Sequence, residues 1–98
     1  MKQHAVDVDP ERHEIDLLLE MAPELRGAAV LEVGCGDGRL TRLYASVAGR
    51  VTAIDPNAAR IDAARAASVS RNVEYRQAGI AEWGGLGEFD AGILAWSL

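Results

Sequence analysis

The chain has 98 residues, of which 49% are hydrophobic and 26% are charged, and its formal net charge is −5. This size and composition are typical of one small globular domain, and the mixed acidic and basic residues leave no cationic footprint for nucleic acid. The one cysteine cannot form an internal disulfide, and no apolar run is long enough to span a bilayer. We therefore expect a cytoplasmic protein that binds neither nucleic acid nor membrane.

The N-terminal part of the chain predicts one helix. Residues 1–9 are polar, and we expect them to be loose. Asp9, Pro10 and Glu11 form a helix start, with Asp as the N-cap and Pro in the first turn. Apolar residues then recur at helical spacing through Ala22. The pattern predicts a helix over about residues 10–22.

Two short apolar runs predict neighbouring strands in the middle of a sheet. Val30–Val33 and Val51–Ile54 are both apolar enough to be buried on two faces. The segment between them predicts a helix, because its apolar residues recur at helical spacing. The buried stripe of this helix consists of Leu40, Leu43, Tyr44 and Val47.

The second half of the chain continues the alternation of helix and strand. Pro56 and Asn57 open an alanine-rich helix, Val73–Gln77 predicts a more exposed third strand, and Phe89–Trp96 predicts a fourth. The apolar side of the helix carries Ile61, Ala64 and Val69, and a solvated face is indicated by Arg60, Arg65, Arg71 and Arg76. Alternating strands and helices predict an α/β fold with a parallel sheet and right-handed crossovers.

A glycine-rich corner joins the first predicted strand to the helix after it. The corner reads Gly34-Cys35-Gly36-Asp37-Gly38, and glycines let the backbone turn sharply and pass close to a ligand. The start of the next helix adds N–H groups and the positive end of a dipole. The corner is therefore a candidate site for a nucleotide-like cofactor.

Two acids and the glycine spacing indicate which cofactor. The pyrophosphate fingerprint is G-x-G-x-x-G, but Arg39 stands here at the third glycine position, which disfavours an NAD-linked oxidoreductase. Glu32 would repel a pyrophosphate and suits a ligand with an ammonium or a sulfonium, and S-adenosylmethionine carries both. Asp55 ends the second strand, where a carboxylate can accept both ribose hydroxyls.

On these residues, the stretch from Val30 to Leu98 resembles the first half of a class I S-adenosylmethionine-dependent methyltransferase. The family's E/D-x-G-x-G-x-G loop is matched from Glu32 to Gly38, and its ribose-binding acid by Asp55. The resemblance implies a Rossmann-like, doubly wound parallel sheet in strand order 3-2-1-4, counted from Val30. It also implies that residues 1–98 form a single partial, truncated domain, because a complete family domain continues with three more strands.

The resemblance implies a set of cofactor-binding residues, namely Glu32, Gly34, Cys35, Gly36, Gly38, Asp55, Pro56, Gly79 and Ile80. The family often has an adenine-binding acid near the position of Gly79, so that contact falls here to backbone N–H groups near Ile80 or to Glu82. Trp83 either stacks near the adenine or packs in the core. Cys35 is better explained as a small residue in a tight turn than as a reactive thiol. No metal-ligand spacing is present, and no catalytic base can be named.

The predicted function is that of an S-adenosylmethionine-dependent methyltransferase for a small molecule, with S-adenosylhomocysteine as product. The chain would hold the cofactor half only and be inactive alone, and a non-catalytic cofactor-binding or assembly module is the alternative. The fourth strand is apolar, with Asp90 as its one charge, and its usual neighbour would lie further along the chain. We expect this strand to be an exposed edge that pairs in a homodimer.

Overall fold

The structure, a computed structural model, describes residues 5–8, 23–79, 81 and 89–95. The described residues form a parallel sheet of five strands, with helices in the connections between consecutive strands of its second half. In chain order the elements are β1 (Ala5–Val8), β2 (Ala29–Val33), α1 (Arg39–Tyr44), β3 (Arg50–Asp55), α2 (Ala58–Ala67), β4 (Val73–Gln77) and β5 (Ala91–Ala95).

The strand order is β1-β5-β2-β3-β4, and every pairing is parallel. The last four strands of this list, read backwards as β4-β3-β2-β5, are the predicted order 3-2-1-4, which is confirmed. From β2 the chain winds outward through β3 to β4 and then returns to the other side of β2. The direction of winding therefore reverses between β2 and β5, and a crevice is expected at the carboxyl ends of these strands.

The expectation of a loose N-terminal segment is wrong for Ala5–Val8. These residues form β1 and pair with β5, with Ala5 opposite Gly92 and Val8 opposite Ala95. The period-two pattern of Ala-Val-Asp-Val, with two β-branched residues, is the signal that the sequence analysis missed. β5 is therefore paired on both sides, with β1 and with β2. The prediction that the last strand is an exposed edge is wrong for the residues that pair with β1. The helix predicted over residues 10–22 lies outside the described residues.

One hydrophobic cluster joins the sheet to the two helices. The strands supply Val30, Val51, Ala53, Tyr75, Ala91 and Ile93, and the helices supply Leu40, Tyr44, Ile61 and Ala64. Two residues of the predicted helical stripes lie outside it. Leu43 is 37% exposed, since it is rotated away from the buried pair at Leu40 and Tyr44, and Val69 is 87% exposed because α2 ends at Ala67.

The start of α2 is set by a side-chain cap. Asn57 is the N-cap residue, and its side-chain oxygen accepts a hydrogen bond from the backbone N–H of Arg60 at 3.0 Å. This agrees with the helix start predicted at Pro56 and Asn57. The guanidinium of Arg65 then donates to the carbonyl oxygen of Tyr75 at 2.9 Å, which holds α2 against β4. The cap fixes where α2 begins beside the carboxyl end of β3.

Candidate functional site

The glycine loop between β2 and α1 uses backbone conformations that other residues rarely adopt. Gly34, Gly36 and Gly38 have φ values of 79°, 58° and 84°, all in the left-handed region. At Gly34 a side chain is also excluded by space, because a Cβ atom there would overlap the carbonyl oxygen of Ala95 at the end of β5. Gly34 therefore lets the carboxyl ends of β2 and β5 approach each other.

The first N–H groups of the loop are bonded inside the protein. Gly34 and Cys35 both donate to the carbonyl oxygen of Ile54, at 2.8 and 3.0 Å. Gly36 donates to Oδ2 of Asp55 at 3.0 Å. These bonds fasten the loop to β3, and they remove three of the N–H groups that would otherwise cradle a phosphate.

The N–H groups at the start of α1 are bonded in the same way. Gly38 donates to the carbonyl oxygen of Cys35 at 3.0 Å, and Arg39 donates to Oδ1 of Asp37 at 3.2 Å. Gly38 is the N-cap residue, and α1 is only six residues long. The expectation that this helix start offers free N–H groups to an anion is therefore not met at Gly38 and Arg39.

Asp55 faces the cavity from the carboxyl end of β3. Its side chain is buried, and Oδ1 accepts from the N–H of Asn57 at 2.8 Å while Oδ2 accepts from Gly36 at 3.0 Å. An ionised carboxylate has about four acceptor positions, so these two bonds leave acceptor capacity for hydroxyl groups of a ligand. Asp55 thus shapes the loop and can accept further hydrogen bonds from the cavity.

The cavity itself has a volume of about 450 Å³ and lies at the carboxyl ends of β2, β3 and β5. This volume is in the usual range for small-molecule sites, and the position is the one where the winding reverses. Its lining residues are Val33, Gly34, Asp55, Pro56, Asn57, Arg60, Leu94 and Ala95.

Three of the predicted site residues line this cavity: Gly34, Asp55 and Pro56. Sequence reasoning missed Val33 and Leu94, which meet only through the pairing of β2 with β5. It also placed Arg60 on a solvated face, although Arg60 is half-buried at the cavity. The signal for Arg60 was its position in the first turn of a helix that begins directly after Asp55.

Glu32 lies beneath the loop and does not line the cavity. It has no exposed area, and its Oε1 accepts hydrogen bonds from the hydroxyls of Thr41 and Tyr44, both at 2.6 Å. Oε2 is buried without a hydrogen-bond partner among the described residues. Burial raises the pKa of Glu32, and the two hydroxyl bonds act in the opposite direction. Glu32 thus connects β2 to α1, and it does not point into the open site.

Cys35 is a buried thiol in the middle of the loop. Its Sγ donates to the carbonyl oxygen of Gly36 at 3.7 Å. Burial raises the pKa of the thiol strongly, and the charges of Glu32, Asp55 and Asp37 raise it further. The thiol is therefore protonated and unreactive, in agreement with its interpretation as a small residue in a turn. The carboxylates of Asp55 and Asp37 also place the loop in a negative potential.

The remaining predicted site residues follow β4. The N–H of Ala78 donates to the carbonyl oxygen of Asp55 at 3.1 Å, which brings this turn beside the cavity-facing end of β3. Gly79 comes next and is half-buried, but it does not line the cavity. Ile80, and with it Glu82 and Trp83, lies outside the described residues.

The described part of the chain was also examined for metal and membrane features. Within it, no three His, Cys, Asp or Glu side chains come together as a metal-binding group. Nor is any helix of this part long and apolar enough to cross a membrane.

The comparison with known sequences identifies a family. A sequence profile described as a methyltransferase domain matches residues 30–98. Malonyl-(acyl-carrier protein) O-methyltransferase of Pseudescherichia vulneris is 42% identical over 45 residues, which are 46% of this chain and 18% of that protein.

Solved structures agree with the sequence match. DhpI in complex with SAH is 36% identical with a TM-score of 0.68, covering 80% of this chain and 37% of that one. Coclaurine N-methyltransferase bound to N-methylheliamine and SAH is 30% identical with a TM-score of 0.68, covering 83% and 26%. An S-adenosylmethionine-dependent methyltransferase from Mesorhizobium loti is 29% identical with a TM-score of 0.59, covering 68% and 31%.

The sheet order, the glycine loop and these matches define a class of protein. The chain belongs to the class I S-adenosylmethionine-dependent methyltransferases. It spans well under half the length of the relatives described above.

Proposed function

We propose that this chain is the cofactor-binding half of a methyltransferase that uses S-adenosylmethionine, releases S-adenosylhomocysteine and acts on a small-molecule acceptor. The observation that carries the proposal is the glycine loop. Its N–H groups at Gly34, Cys35 and Gly36 are bonded to β3, and carboxylates raise the thiol pKa at its centre. Such a loop suits a cationic ligand and disfavours a pyrophosphate, which needs free N–H donors.

The residues around the cavity fit such a ligand. Asp55 has acceptor positions left for the two ribose hydroxyls, and Gly34 lines the same cavity. The bound cofactor would supply a methyl group on a sulfonium. The contribution of the chain is to hold the nucleoside at Asp55 and to keep the cationic end near the loop, since methyl transfer gains mainly from alignment of the reacting atoms.

The first experiment removes the proposed ribose acceptor. We expect Asp55→Ala to weaken S-adenosylmethionine binding by about ten- to a hundredfold, because a lost hydrogen bond to a charged group costs about 1.5–3 kcal/mol. Calorimetric titration measures this, with NAD as a competing ligand that should not bind. The matched control is Asp62→Ala, which removes an exposed carboxylate of α2 away from the cavity lining. Equal affinity of Asp55→Ala and the unaltered chain would exclude Asp55 as the ribose acceptor.

The alternative function is a cofactor-binding or assembly module without turnover of its own. We expect the 98-residue chain to show little or no methyl transfer, because no catalytic base is identified and the acceptor pocket of the family is built largely after its fourth strand. Transfer of a radiolabelled methyl group to any small acceptor by the purified chain would contradict this expectation.

Location and assembly complete the proposal. We place the protein in the cytoplasm because its one cysteine is a buried free thiol, which fits a reducing compartment. The homodimer stays a prediction. A dimer that pairs through β5 requires β1 to leave its place beside Gly92–Ala95 in each copy.

A further inference from the structure

The buried carboxyl group of Glu32 has an uneven set of partners. Oε1 accepts two hydroxyl protons, from Thr41 and Tyr44, while Oε2 has no partner among the described residues. The carbonyl oxygen of a neutral carboxylic acid has two lone pairs, and here both are used. The proton of the neutral acid then belongs on Oε2. An ionised Glu32 would instead bury a charged oxygen without a hydrogen bond, which is costly.

Among the residues that the structure describes, the groups that interact with Glu32 include no cation that would offset such a charge. In the sheet it lies between Ala53 of β3 and Ile93 of β5, neither of which titrates. The titratable groups that its charge reaches are Tyr44 on α1, Tyr75 on β4 and Cys35 in the loop, whose pKa values it raises. All three are therefore neutral where carboxyl groups titrate. No group of this set compensates the ionised form.

A cation at the loop would change this balance. When Glu32 is ionised its charge reaches the loop, because it raises the pKa of the Cys35 thiol three residues further along. Gly34, two residues after Glu32, lines the cavity. A ligand cation placed at the loop therefore stabilises the ionised carboxyl through space, even though Glu32 itself has no exposed area.

We propose that a cationic ligand binds at the loop together with loss of the Glu32 proton to solvent, and that Tyr44 positions the carboxylate for this change. The inference rests on the proposed function, because the cation is the sulfonium and ammonium of S-adenosylmethionine. Tyr44 is fully buried, and its hydroxyl donates directly to Oε1, so it stabilises the carboxylate more than the neutral acid. Binding should weaken as the pH falls and Glu32 becomes harder to ionise.

Proton-linked calorimetry tests the proposal on the 98-residue chain. S-adenosylmethionine is titrated from about pH 5 to about pH 8 in two buffers of different ionisation enthalpy, which gives the number of protons released. We expect release of up to one proton at the acidic end, falling to none as the pH rises. Adenosine, which lacks the cationic end, should bind without this release.

Three variants assign the proton. Glu32→Gln should bind with the release abolished. In Tyr44→Phe the fall in affinity for S-adenosylmethionine should occur at a higher pH than in the parent. At a pH between the midpoints of the two curves, the variant should bind about tenfold more weakly than the parent. Tyr75→Phe is the matched control, since it removes a buried tyrosine hydroxyl that bonds Thr41 and not Glu32, and it should leave the pH dependence nearly unchanged.

The outcomes separate two kinds of failure. If the folded parent does not bind S-adenosylmethionine, the proposed function and this inference both fail. Binding without proton release, or release that persists in Glu32→Gln, overturns the inference alone and leaves the proposed function standing. If Glu32→Gln does not fold, the inference is tested with Tyr44→Phe. If that variant binds S-adenosylmethionine with the same pH dependence as the parent, the proposed role of Tyr44 is overturned.

Discussion

At the scale of single residues, the carboxyl groups of Glu32 and Asp55 have different partners and different surroundings. Asp55 faces the cavity and accepts from two backbone N–H groups, whereas Glu32 faces α1 and accepts from two hydroxyls. The sequence identified both acids from their places at strand ends. It could not show which way Glu32 points, because that depends on Thr41 and Tyr44 meeting it in the folded core.

A pair of glycine variants tests why the loop requires Gly34. Gly34 and Gly27 both have a positive φ, of 79° and 69°, so alanine at either position carries a strain of about 1–2 kcal/mol. Only at Gly34 would the new Cβ atom overlap a carbonyl oxygen, whereas nothing lies within 4 Å of that at Gly27. We expect Gly34→Ala to lower the free energy of unfolding clearly more than Gly27→Ala. Chemical denaturation measures the free energy of unfolding of both variants. Equal losses would mean that the overlap with the carbonyl oxygen contributes nothing beyond the strain of a positive φ.

At the scale of elements, the helices and strands after residue 29 could be predicted in kind but not in length. The start of α2 followed from Pro56 and Asn57, whose local chemistry is visible in the sequence. The ends did not, since the helical pattern continued to Val69 while the helix stops at Ala67. β1 was missed because a four-residue strand is stabilised by its partner β5, which is distant in the sequence.

The packing of α2 gives a test at this scale. Ile61 is buried in the core cluster and Val69 is 87% exposed beyond the helix end. We expect Ile61→Ala to lower the free energy of unfolding by about 2–5 kcal/mol, the usual range for a buried aliphatic side chain. Val69→Ala should change it by less than about 0.5 kcal/mol. Thermal or urea unfolding compares the two, and a large effect at Val69 would contradict the exposed end of α2.

At the scale of the whole molecule, the parallel α/β architecture and the order of four strands could be predicted from the sequence, and the strand at the edge could not. The cavity position also followed from the sequence, through the glycine loop and Asp55. The apolar wall of the cavity could not be predicted, because Val33 and Leu94 become neighbours only when β5 pairs with β2. Non-local pairing accounts for both omissions.

The association state of the molecule depends on β1 in a testable way. Successive N–H groups of a strand point to opposite sides of that strand. Val6 and Asp7 are neighbours in β1, so only one of the variants Val6→Pro and Asp7→Pro removes an N–H group that faces β5. That variant should expose the side of β5 now covered by β1 and form dimers or larger species, while the other serves as its control. Light scattering over a concentration series measures this. A mass of about 10.5 kDa for both variants at every concentration would contradict the protective role of β1.

The pairing of β1 with β5 also determines when the sheet can be completed during synthesis. β2, β3 and β4 are consecutive in the chain and lie side by side in the sheet, so they can assemble early. Ala5–Val8 is made well before its partner in the sheet, Gly92–Ala95. Closing so long a loop is slow, and Ala5–Val8 therefore stays without its partner strand until β5 has been made.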